Sequence, residues 1–86
     1  MRIQLVALSR DGSPLCQRSA LPAGPQSLRN HLLALAVDLP WSREIVATAG
    51  DYTVSWGVGS ALDDAVARKL WEHLLLSERA SVAPGE

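Results

Sequence analysis

Twice along this chain, two short β-type runs joined by a glycine turn give way to a longer run with helical spacing. The order ββα, then ββα again, leaves few ways to bury the apolar faces it creates. The first run, 2–9, is separated from the second, 14–20, by Arg10-Asp11-Gly12-Ser13. An Asp-Gly pair between such runs is a hairpin signal, and the type I′ turn it favours has positive φ at both central residues. Within 14–20, Leu15, Gln17 and Ser19 alternate with Cys16 and Arg18, and Pro14 suits the first residue of a strand, where a missing N–H costs least. Leu21-Pro22-Ala23-Gly24-Pro25 then breaks the chain.

A helix is expected over 28–39 with Ser27 as its cap. Leu28, Leu32, Leu35, Ala36 and Leu39 fall on one face at the helical period, and Pro40 ends the run because the residue before a proline is pushed out of helical geometry. The second half follows the same plan. Residues 44–49 read as a strand and Ala49-Gly50-Asp51 as a tight turn, after which Tyr52, Val54, Trp56 and Val58 alternate with Thr53, Ser55 and Gly57. Ser60, three residues before Asp63, reads as the cap of a second helix reaching about residue 77. Its apolar surface joins the row Leu62, Val66, Leu70, Leu74 to the row Ala67, Trp71, Leu75.

These elements predict an α+β fold in which two hairpins join into a four-stranded antiparallel sheet and two helices pack on one face. At 86 residues there is room for one core. A single globular domain over 1–79 is expected, with a flexible tail over 80–86. The opening apolar run closes at Ser9-Arg10-Asp11, too early for a signal-peptide core or a membrane span. Cys16 is the single cysteine, so no intramolecular disulfide can form and a reducing cytoplasm is the expected compartment. Lys69 is the sole lysine among cations that are otherwise arginine, a bias that points to a GC-rich bacterial or phage gene.

The motifs that carry chemistry elsewhere are missing. Gly57-Val58-Gly59-Ser60 resembles a phosphate cradle, but Asp63 and Asp64 follow it and no P-loop lysine does. His31, His73 and Cys16 have no partner at metal-ligand spacing, and the adjacent Asp63 and Asp64 point to different sides of a helix. No cofactor, metal or enzymatic activity is therefore expected. A net charge of −1 gives little pull on phosphate backbones. The alternative of a weak nucleic-acid binder rests on Arg10, Arg18, Arg29 and Arg43 with Tyr52 or Trp56 for stacking.

What remains is apolar excess. Leu33 and Val37 lie off the main stripe of the first helix, Trp71 and Leu75 at the rim of the second, and Trp41 in the connector behind Pro40. These five residues either lie between two tightly packed helices or form the candidate partner surface, and on the second reading the expected function is a small protein-interaction or regulatory module that binds a protein partner or itself.

Overall fold

The structure, a computed structural model, describes residues 1–81. Strands β1 (Ile3–Leu8) and β2 (Pro14–Ala20) form the first hairpin, and helix α1 (Pro25–Asp38) follows. Strands β3 (Glu44–Ala49) and β4 (Tyr52–Gly57) form the second hairpin, before helix α2 (Asp64–Ser81). All neighbours pair antiparallel in one sheet of order β2-β1-β3-β4, the α+β fold that the patterning predicts. The first strand of each hairpin thus takes a central place, and α1 carries the chain from the edge strand β2 back to the middle.

Alternation sets the two faces of the sheet. Ile3, Leu5 and Ala7 of β1 and Ile45, Ala47 and Ala49 of β3 are buried, while the residues between them are half-exposed. Both helices pack on the buried side and against each other, with Leu28, Leu32 and Leu35 of α1 and Leu74 of α2 in one apolar cluster with the strands, and Ala67 of α2 buried as well. The opposite face carries Gln4, Val6, Thr48, Thr53 and Ser55 and has no covering layer among the described residues.

Both hairpin turns use glycine where backbone geometry demands it. Gly50 has φ +59° and sits first in the two-residue loop between the paired Ala49 and Tyr52, the geometry of a type II′ turn. The first hairpin departs from the expected type I′ turn. Gly12 has φ +87°, but neither Arg10 nor Asp11 has positive φ. The Gly12 N–H donates to the Ser9 carbonyl at 3.0 Å, and the Asp11 carboxylate accepts from the Ser13 N–H at 2.9 Å and from the Ser9 hydroxyl. Asp11 thus serves as a local acceptor that stitches the loop, a role its short side chain fills well. The register shifts between Ala7 and Leu8, and Leu15 is the extra residue of a bulge.

Neither predicted serine cap is used. Helix α1 begins at Pro25, with Gly24 as its N-cap and no side-chain cap bond, so Ser27 lies inside the first turn. Proline at the first helical position needs no N–H and presets φ, which moves the start forward. It ends at Asp38, with Leu39 as C-cap. Helix α2 begins at Asp64 rather than after Ser60, because Asp63 takes the capping place: its carboxylate accepts from the Val66 N–H at 2.9 Å. Ser60 closes a turn instead, its N–H on the Gly57 carbonyl at 3.0 Å. Val58 likewise falls in that turn, outside β4. Helix α2 runs past residue 77 to Ser81, and residues 82–86 of the expected tail lie outside the described residues.

Two stability measurements check these assignments. Asp63→Ala should lower unfolding free energy by about 1 kcal/mol, whereas Ser60→Ala should stay within about 0.5 kcal/mol of the parent. Gly12→Val should cost about 1–2 kcal/mol, because a β-branched side chain resists positive φ, while the far-ultraviolet circular dichroism stays native. Equal denaturant midpoints for Gly12→Val and parent would show that the turn does not need its glycine.

Candidate interaction surface

The five candidate residues fall into two groups. Leu33 and Trp71 are half-buried and pack against the core, and Leu75 is half-buried on α2. Val37 and Trp41 stand out: they are 77% and 64% exposed. One lies in the last turn of α1 and the other just beyond it, so both occupy the C-terminal corner of that helix.

The backbone around Trp41 is held on both sides. Before it, the Leu39 N–H donates to the Leu35 carbonyl at 2.9 Å. After it, Ser42 is 6% exposed and donates twice to the Leu39 carbonyl, from its N–H at 3.1 Å and its hydroxyl at 2.7 Å. The next residue joins the sheet, with the Arg43 N–H on the Leu8 carbonyl at 2.7 Å and the Arg43 carbonyl accepting from the Val58 N–H at 3.0 Å. A large indole therefore projects from a turn whose hydrogen bonds are made internally. Ser42 carries no periodic or motif signal, and sequence reasoning passed over it.

The charges beside this corner are largely paired within the chain. Arg18, on the helix-facing side of β2, reaches Asp38 at the end of α1 with an N···O distance of 2.6 Å. The hydrogen bond from Arg18 to Asp38, followed by a contact with Cys16, raises the affinity of the guanidinium for its proton. Arg43 contacts Glu44 at 3.1 Å and donates to the Arg10 carbonyl at 3.3 Å. The fourth arginine of the alternative reading lies elsewhere: Arg29 donates from Nε to the Leu62 carbonyl at 2.6 Å and straps α1 to the segment before α2.

The aromatic residues of that alternative face the helices. Trp56 is buried, and its indole N–H has no acceptor among the described residues. Tyr52 meets His73 of α2 edge-on, with ring centroids 5.8 Å apart. Cys16, His31 and His73 are not brought together: among the described residues no three metal-ligating side chains cluster, and no helix there is long and apolar enough to cross a membrane. Leu15, Leu21 and Leu76 are exposed as well, and none of them belongs to the apolar rows that periodicity marks.

Set beside protein-family models, curated proteins and solved structures, the chain matches none of them.

Substitution of the two tryptophans separates packing from surface. Trp71→Ala should cost about 2–4 kcal/mol, because its ring supports the core. Trp41→Ala should cost under about 1 kcal/mol, since most of its surface already faces water. Urea unfolding of the two variants compares them directly, and equal losses would contradict this division.

Proposed function

We propose that the protein is a protein-interaction module that docks a second copy of itself through the α1 corner formed by Val37 and Trp41. The observation that carries this reading is a tryptophan 64% exposed on a turn clamped by a buried serine. An aromatic side chain on a held backbone loses little conformational freedom on contact, and tryptophan dominates interface hot spots.

Charge favours a protein contact of this kind. Along the chain, Asp38 of the Arg18–Asp38 pair follows Val37 and the Arg43–Glu44 pair follows Trp41, so charged residues flank the apolar ones as polar residues flank the centre of a protein interface. Because the flanking charges carry both signs and are paired within the chain, a second copy can approach across a twofold axis without net like-charge repulsion. The two valines at the centre of the open sheet face, Val6 and Val46, lie opposite each other. Around them Gln4 accepts from Gln17 and Ser19, and Thr48 pairs with Thr53, which suits that face to water. The lone Cys16 supports a reducing cytoplasm as the place of action.

Sedimentation or light scattering across a concentration series tests the proposal. The parent should approach dimer mass. Trp41→Ala and Val37→Asp should weaken the dimer at least about 30-fold, the equivalent of a 2 kcal/mol hot spot, with circular dichroism unchanged. A parent that stays monomeric at high micromolar concentration overturns it.

A further inference from the structure

The chain holds one Asp-Gly pair, Asp11-Gly12, and it lies at an exposed hairpin tip. Among aspartyl dipeptides it is the one most prone to spontaneous backbone rearrangement, because glycine leaves the following amide nitrogen unshielded. In that reaction the lone pair of the Gly12 nitrogen attacks Cγ of Asp11 and an N–Cγ bond forms. The Cγ–OH bond breaks, and the oxygen departs as water with the amide proton. Water then opens the five-membered imide at either carbonyl and yields aspartate or isoaspartate.

We infer that the β1–β2 turn is a modification site held inert by its own hydrogen bonds, and that Ser9 is the residue that locks it. Three requirements of the reaction are each opposed. The nitrogen must give up its proton, but the Gly12 N–H donates to the Ser9 carbonyl at 3.0 Å. Cγ must swing over that nitrogen, but Oδ1 is engaged by the Ser13 N–H at 2.9 Å and by the Ser9 hydroxyl. The carboxyl must be protonated so that hydroxyl can leave, but first the Ser9 hydroxyl and then the Ser13 N–H hold Asp11 down to about 2, from 3.8. At neutral pH the protonated fraction is correspondingly small. Ser9 thus acts through its carbonyl on the nucleophile and through its hydroxyl on the electrophile.

The test is ageing of the full chain at 37 °C and mildly acidic to neutral pH. Isoaspartate at residue 11 is read by peptide mapping and by enzymatic methylation. The native protein should accumulate it several-fold more slowly than the same chain in denaturing urea. Ser9→Ala, folded by circular dichroism, should speed accumulation several-fold, and Ser60→Ala, altered in a turn whose own hydrogen bond runs to Gly57 and not to residues 9–13, should match the parent. Equal rates for parent and Ser9→Ala, or for parent and denatured chain, would overturn the inference. So would an equal acceleration by Ser60→Ala, which would trace protection to general rigidity.

Discussion

Along the seam between β1 and β3, Leu5 sits opposite Ala47 and Ala7 opposite Ile45. Each large side chain of one hairpin therefore meets a small one of the other on the buried face. Alternating large and small residues across a seam is the arrangement that lets a layer beneath helices interdigitate. The two hairpins touch through this seam alone within the sheet, so the continuous apolar floor on which α1 and α2 rest exists only once it has formed. Either hairpin by itself is a two-stranded ribbon, which is marginal in water. The hairpins and α1 are local, but the seam joins residues some forty positions apart, and its closure is the step in which chain entropy weighs most.

The connector after α1 fixes the geometry of that seam. Ser42 turns the chain, Arg43 ties to Leu8 at the end of β1, and the Arg43 carbonyl takes the Val58 N–H at the end of β4. One residue thereby links three strands' ends, and the position of Trp41 follows from it. The same hydrogen bonds that set the register of the sheet hold the candidate surface outward. Packing and presentation share one turn.

Much of this was legible beforehand. Strands 14–20 and 44–49 carry the bounds that glycine and proline punctuation marks, and the stripe Leu28, Leu32, Leu35 is the buried face of α1. The misread caps share a cause. Ser27 and Ser60 are cap-type residues, but each competed with a stronger signal nearby, Pro25 at the first helical position and Asp63 next to the helix itself. The strand order had no local signal, since only the size match of Leu5 with Ala47 and Ala7 with Ile45 encodes it, and that is visible only after a register is supposed. Periodicity named five apolar residues as surplus but could not divide them. Trp71 and Leu33 differ from Trp41 and Val37 by what packs beside them, which is a tertiary fact.

The two sheet edges narrow where association can occur. Exposed edges invite pairing with other chains, and β2 is blunted in three ways. Pro14 removes a donor at its start, the bulge at Leu15 twists its first residues, and Arg18 places a charge on its helix-facing side, fastened to Asp38. At the other edge β4 ends in Gly57, and α2 lies against its inner side. The open face between them spends its polar groups on cross-strand bonds, Gln4 with Gln17 and Ser19, and Thr48 with Thr53. With the β2 edge blunted and many of the open face's polar side chains bonded to one another, the large apolar side chains left most exposed are Leu21, Val37 and Trp41. Leu21 stands alone beyond the end of β2, beside the buried Ala20 and Pro22, whereas Val37 and Trp41 share the corner of one helix. Two apolar groups four residues apart at one helix end are close enough in the chain to be offered to one contact, and this is why the corner, rather than the count of exposed residues, carries the functional reading.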